Sequence, residues 1–120
     1  MILVDTSIWI DHLRAADTEL MDQLRECRVV VHPFVVGEIA LGGIANRRTI
    51  IGNLSGLPSC KIASDQEVLA MIDGQGLVAS GIGYLDAHLL ASVLLSPGTT
   101  LWTRDRRLKV VAEGLGVSKG

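Results

Sequence analysis

Aromatic residues make up only 3% of the chain: one Phe, one Tyr and two Trp. That scarcity excludes a core of stacked rings. The interior must be aliphatic, built from the Ile, Leu, Val and Ala that dominate a 48% hydrophobic composition. Such an apolar composition also leaves room for a surface covered by a partner. Cysteine is equally sparse. Cys27 and Cys60 are the only two, without CxxC or Cys/His spacing, so they read as buried free thiols rather than a disulfide or a zinc site. No uninterrupted apolar stretch approaches the roughly 18 residues of a membrane span. Val29 to Val36 is broken by His32 and Pro33, and MILVDTS meets an acid too early for a signal peptide, so a soluble cytoplasmic protein is expected. Net positive charge is missing too, with 11 Lys and Arg against 13 Asp and Glu and a formal charge of -2. This excludes a protein that is basic overall but not a nucleic-acid partner, because charge distribution matters as much as the sum. Repeats and linker-like tracts are absent, and 120 residues suit one domain spanning 1–120.

What the chain does have is acid in apolar company. Asp5 directly follows Ile2-Leu3-Val4, Glu38 lies inside Phe34 to Ala45, Asp86 inside Tyr84 to Leu95, and Asp105 just past Leu101-Trp102. The remaining acids stand mostly among polar neighbours. An ionised carboxylate in apolar surroundings is costly unless something pairs with it. Only Asp105 has cations beside it, Arg104 and Arg106, so the economical partner for the set is a metal ion. Read singly, three of the acids have a plainer explanation, Asp5 and Asp86 as acids at helix N-termini and Asp105 as a partner of its arginines, whereas a mid-helix Glu38 among apolar neighbours still needs a reason.

The pattern of apolar runs and breakers gives the acids an address. Ile2 to Val4 reads as a strand, ending at Asp5-Thr6-Ser7, where hydroxyls can cap a helix beginning near Ile8. A helix over Thr18 to Cys27, a strand at Val29 to Val31 and a helix from Phe34 to about Gly42, with Pro33 in its first turn, follow. Another helix opens at Asn46 or Arg47 and ends at Ser55-Gly56-Leu57-Pro58. Cys60 to Ala63 is a weaker strand candidate. Ser64-Asp65-Gln66-Glu67 starts a helix running through Val68 to Ser80, and Gly81-Ile82-Gly83 separates it from a helix over Tyr84 to Leu95. Thr99 to Trp102 is a strand and Asp105 to Gly114 the last helix. Alternating short strands and helices imply an α/β layered fold with a mostly parallel central sheet. Asp5 then follows the first strand and Asp105 the last, and open α/β sheets bind ligands at the carboxyl ends of their strands.

Carboxylates without His or Cys among them select hard cations, so Mg²⁺ or Mn²⁺ fits better than Zn²⁺. His12, His32 and His88 lack ligand-like spacing and read as structural or surface residues. Mg²⁺ sites are commonly completed by substrate phosphates, which points to phosphoester chemistry. Thr6, Ser7 and Thr103 stand beside Asp5 and Asp105, where a hydroxyl can support a carboxylate or serve as an ordinary cap. Arg104, Arg106, Arg107 and Lys109 form a basic cluster that reads either as a solvated helix face or as a contact surface.

These motifs, taken in order, resemble a known family. VDTSIWIDHLR at the N-terminus, VVGEIALG around Glu38, GYLDAHLLAS around Asp86 and LWTRD around Asp105 look like PIN-domain ribonucleases of the VapC toxin type, and the matches run from Val4 to Asp105. The resemblance implies a PIN-like three-layer α/β/α sandwich and an Mg²⁺- or Mn²⁺-dependent endoribonuclease. It also implies the toxin half of a type II toxin–antitoxin pair, held inactive by a small VapB-type antitoxin and commonly a homodimer. Asp5, Glu38 and Asp86 match the three most characteristic acids of the family, Asp105 the more variable fourth, and Thr103 the threonine two places before it. One departure stands out: Arg107 and Leu108 replace a second acid and an aromatic that often follow. The basic cluster is then expected to contact RNA or the antitoxin.

Two readings of other classes compete. A phosphoacceptor receiver module needs an acceptor Asp after a middle strand, and no acid lies between Glu38 and Asp65. A PIN-fold binding module without catalysis would be free to lose its acids, yet all four are present. A metal-dependent nuclease with another nucleic-acid substrate is the intermediate case.

Overall fold

The computed structural model describes residues 1–120. At its centre, Ile2–Val4 forms β1, a run of three aliphatic residues that are all buried. Continuous apolar character rather than alternation suits a parallel strand covered on both faces. β1 pairs in parallel with β2 (Val29–Val30) on one side and β3 (Thr100–Trp102) on the other, giving the order β2-β1-β3. The register sets Leu3 opposite Val30 and Leu101, and Val4 opposite Trp102. The expected parallel α/β architecture is therefore present.

Parallel neighbours cannot be joined by a hairpin, so helices carry the connections. α1 (Thr6–Arg14) and α2 (Thr18–Arg25) link β1 to β2. α3 (Pro33–Leu41), α4 (Arg47–Ser55), α5 (Asp65–Gly74) and α6 (Tyr84–Leu94) link β2 to β3, and α7 (Arg106–Gly114) follows β3. The two crossovers leave the sheet order in opposite directions, and right-handed connections then set helices against opposite faces. No helix is long and apolar enough to cross a membrane.

The core is aliphatic, as the composition requires. Leu3, Val4, Ile8, Leu20, Val35, Ile39, Leu89, Leu90, Leu101 and Leu108 are buried in one cluster, with Trp9 its only fully buried indole. Truncating any of these leucines to Ala costs about 2–5 kcal/mol.

Several boundaries differ from the sequence expectation, each for a local reason. α1 begins at Thr6 rather than near Ile8. Cys60 to Ala63 is not a strand. Val31 donates to the Pro58 carbonyl and accepts from the Cys60 amide, making a single bridge at Ser59 before the chain leaves the sheet edge. α5 starts as expected, with a reciprocal capping box between Ser64 and Glu67, but stops at Gly74 instead of reaching Ser80. Gly76 adopts a left-handed φ of 65°, its amide bonds the Asp73 carbonyl, and the Leu77 amide bonds the Ile72 carbonyl. That pair of bonds is a glycine-dependent helix stop. Both cysteines are free, but Cys27 is exposed rather than buried, because it lies in the left-handed turn that closes α2.

Candidate active site

The register brings the carboxyl ends of β1 and β3 together. Val4 pairs with Trp102, and the Asp5 amide donates to the Trp102 carbonyl at 2.9 Å, so Asp5 and the Thr103-Arg104-Asp105 segment leave the sheet side by side. Asp5 is only 6% exposed. It occupies the N-cap position of α1, yet its side chain caps nothing. Instead Oδ2 accepts two hydroxyl hydrogen bonds, from Ser7 Oγ and from Thr103 Oγ1, both at 2.8 Å. Each hydroxyl in turn accepts a backbone N–H: Ser7 Oγ from Arg104 and Thr103 Oγ1 from Asp105, both at 3.0 Å. Two relays, one from each side of the strand end, therefore converge on one carboxylate oxygen. Of the two roles open to these hydroxyls, supporting a carboxylate or capping a helix, Ser7 and Thr103 take the first.

Thr6 does the same for Glu38, donating to Oε1 at 2.6 Å. This bond ties the first turn of α1 to α3. Val35 and Ile39 are the buried residues of α3, and Glu38 lies on its exposed side. Its apolar sequence neighbours therefore do not desolvate it, contrary to the sequence impression. Asp105 is also exposed, and its Oδ1 caps α7 by accepting the Leu108 amide at 3.0 Å. Neither flanking arginine pairs with it.

Asp86 is the acid under strain. It is half-buried in the first turn of α6. Burial pushes its carboxyl up to about 6, and the negative charges of Asp5, Asp105 and Glu38 push the same way, while the Gly83 amide offsets this in part. All four predicted acids thus act on one point, brought there by β1, α3, α6 and the end of β3. They do not form a closed cage. No three His, Cys, Asp or Glu side chains are gathered closely enough to ligate one ion directly. The donor set is nonetheless all oxygen and strongly anionic, which fits a hard divalent cation that keeps part of its water and is held by one or two carboxylates.

The basic cluster divides. Arg104 turns away from Asp105 and pairs with Asp11 of α1 and, at 2.8 Å, with Asp17, the N-cap of α2. Arg106, Arg107 and Lys109 are exposed and take part in no ion pair. The histidines stay apart from the acids. His12 Nδ1 accepts the Asp17 amide, and His32 Nδ1 accepts the Phe34 amide, each at 3.0 Å. Burial, reinforced by the nearby His88, holds the His32 imidazole down at about 4. His88 is buried with Nε2 3.1 Å from Asp65, although not aligned for a hydrogen bond.

None of the larger cavities is lined by the four acids, of which Glu38 and Asp105 are exposed, Asp86 half-buried and Asp5 buried. Cavities of 250 to 370 Å³ lie elsewhere, the first between α1 and the segment joining α3 to α4, lined by Ile10, Leu13, Ile44 and Ile50 among others.

Comparison with known proteins agrees with the geometry. The PIN domain family model matches residues 2–114, which takes in all four acids. Ribonuclease VapC32 of Mycobacterium tuberculosis, in strains CDC 1551 / Oshkosh and H37Rv, is 44% identical over 118 residues, covering 98% of this chain and 95% of the relative. The chain belongs to the PIN-domain family.

Proposed function

We propose that this chain, as a single domain over 1–120, is a divalent-metal-dependent endoribonuclease and the toxin of a VapBC-type pair in the cytoplasm. The observation that carries the reading is the nearness of Asp5, Asp105 and Glu38 to Asp86, which feels the charge of all three. Near-complete alignment with a protein named a ribonuclease supports RNA as the substrate class.

In this reading Asp5 and Asp86 hold Mg²⁺, or Mn²⁺ in its place, with Glu38 a further ligand or the group that orients water. Asp105 acts through water from the rim. The ion, when bound, supplies Lewis acidity that activates water and neutralises phosphate charge. The protein's own work is positional. Ser7 and Thr103 hold Asp5 Oδ2, leaving Oδ1 without a hydroxyl donor from either. Thr6 fixes Glu38 across from it. Hydrolysis of this kind leaves a 5′-phosphate and a 3′-hydroxyl. Arg106, Arg107 and Lys109 offer charge to the RNA backbone or to a VapB-type antitoxin, and the functional form is a homodimer.

The test is cleavage of RNA and DNA strands of identical sequence with Mg²⁺, Mn²⁺ or excess chelator. RNA should be cut only with metal, and the Asp5→Asn protein should be inactive though folded. Cleavage that survives chelation, or equal activity in the variant, would overturn the assignment. Expression should arrest growth, and co-expression of a cognate VapB-type antitoxin should relieve it.

A further inference from the structure

A strip of four rings runs across the starts of α3 and α6, the helices that carry Glu38 and Asp86, in the order His32, Phe34, His88, Tyr84. Ring centroids are 4.9 Å apart for His32 and Phe34, 4.9 Å for Phe34 and His88, and 4.6 Å for Tyr84 and His88. Exposure alternates along it. His32 and His88 are 0% and 3% exposed, whereas Phe34 and Tyr84 are 41% and 49% exposed. These two are the only Phe and Tyr in the chain. A sequence so poor in rings leaves two of its four half-open to solvent, each backed by a buried imidazole.

Their position ties them to the acids. Phe34 precedes Glu38 by four residues on α3, which places both on one face of the helix, about 6 Å apart along its axis. Tyr84 opens α6 two residues before Asp86 and so faces a different side of that helix, joined to Phe34 through the His88 ring between them. The Tyr84 hydroxyl donates to Asp65 Oδ1 at 3.1 Å, fixing the ring's outer end. Unpaired positive charge adjoins it. Arg107 lies over the loop that leads into Tyr84, with Nη1 3.5 Å from the Gly81 carbonyl and its Cδ 3.2 Å from where a Cβ at Gly81 would stand.

We propose that Phe34 and Tyr84 form a stacking platform for a nucleobase of the RNA strand, next to the phosphate that the acids address. The inference rests on the ribonuclease reading and deepens it. Aromatic faces and cations bordering a phosphate site match the alternation of bases and phosphates in a single strand, since every base has a face to stack. A protein partner has more suitable ground elsewhere, at the exposed aliphatics Leu41, Val78 and Val110. The platform favours single-stranded over paired RNA and sets a preference for strongly stacking bases at one position.

The test uses the Asp5→Asn protein, so that RNA stays intact, and a single-stranded oligoribonucleotide carrying 2-aminopurine at successive positions. Binding should quench fluorescence at one position. Phe34→Leu and Tyr84→Leu, which keep apolar packing on His88 but remove a ring, should abolish that quenching and weaken binding about tenfold, while Tyr84→Phe should preserve both. Independently of any variant, an abasic residue at that position should weaken binding to the otherwise unaltered protein by a similar factor. Unchanged quenching in both Leu variants, or equal binding of the abasic strand, overturns the platform. So does a Leu variant that loses its dimer in sedimentation while keeping full RNA affinity, which would assign the surface to a second copy. Failure of the ribonuclease reading is separately visible, as intact RNA after incubation with the wild-type protein and metal.

Discussion

The strand-end corner of the site and its helical corner handle negative charge in opposite ways. At the strand ends, Asp5 is nearly inaccessible but receives two hydroxyl hydrogen bonds, and the exposed Asp105 is anchored by the Leu108 amide. At the helices, Glu38 has one hydroxyl donor and an open face, while the half-buried Asp86 is partly satisfied by the Gly83 amide and is pushed up to about 6. Burial alone therefore does not locate the electrostatic stress. The more buried acid is the better satisfied one, and the unsatisfied charge collects on Asp86, where a cation relieves it most. One corner sets geometry and the other concentrates the unrelieved negative charge.

Removing the geometric corner should have the largest effect. Asp5→Asn keeps the shape but not the charge, and RNA cleavage should fall at least about a hundredfold, the scale expected when charge stabilisation worth several kcal/mol is lost. A thermal melt close to wild type would show that the loss is chemical. Thr103→Val comes next. It removes the donor to Asp5 and the acceptor of the Asp105 amide at a buried position, which should cost about 1–3 kcal/mol of stability. Activity should fall about tenfold if that alignment matters. Wild-type melting and kinetics in Thr103→Val would mean that the strand-end relays are dispensable.

This contrast was only half legible in the sequence. The order of strands and helices, the parallel sheet and the four acids follow from apolar runs, glycine and proline breaks and the placement of carboxylates. Burial was misjudged at Glu38, because sequence neighbours on a helix point to different sides and the exposed face of α3 is set by tertiary packing. Thr6 and Ser7 left capping and support of a carboxylate equally open, because hydroxyls at a helix start usually cap. Here the competing acceptors, Glu38 and Asp5 Oδ2, are supplied by an element distant in sequence and by an N-cap residue turned away from its own helix. Arg104 is a similar case: its partners Asp11 and Asp17 lie far back in the chain, and only the fold brings them near. The ring strip had a signal in the sequence, the lone Phe and lone Tyr each close to an acid, but ring contacts between α3 and α6 depend on how those helices pack.

The helical corner can be tested through pH. Asp86 in the folded protein titrates near 6, above the 3.8 of an unperturbed Asp. Between those values the folded state keeps a proton that the unfolded state has released. Folding stability therefore declines as pH rises from about 4 to 6, and the deficit is constant above. Asp86→Asn removes the deficit. In metal-free buffer the variant should melt a few degrees above wild type at pH 7–8, on the order of 3–5 °C, with the difference vanishing towards pH 4. Adding Mg²⁺ should raise the wild-type melting temperature more than that of the variant, because binding to the native state alone is stabilising. A gain that is equal at pH 4 and pH 8 would mean that Asp86 carries no charge stress.

The smallest effect should come from Arg104, despite its place in the basic cluster. Its guanidinium already bonds two carboxylates, and these pairs are exposed enough that their loss should cost at most about 1 kcal/mol. Because its charge is neutralised within the protein, Arg104→Met should leave the salt dependence of RNA binding nearly unchanged. Arg106 and Lys109 differ in having no ion-pair partner. Replacing either by Ala should lower the slope of log affinity against log salt by about 0.7 if it contacts a phosphate of a single strand. The comparison separates fold from function within one six-residue segment. If Arg104→Met lowered the slope as much as Arg106→Ala, the pairs with Asp11 and Asp17 would have to open when RNA binds, and the arginine would have changed partners.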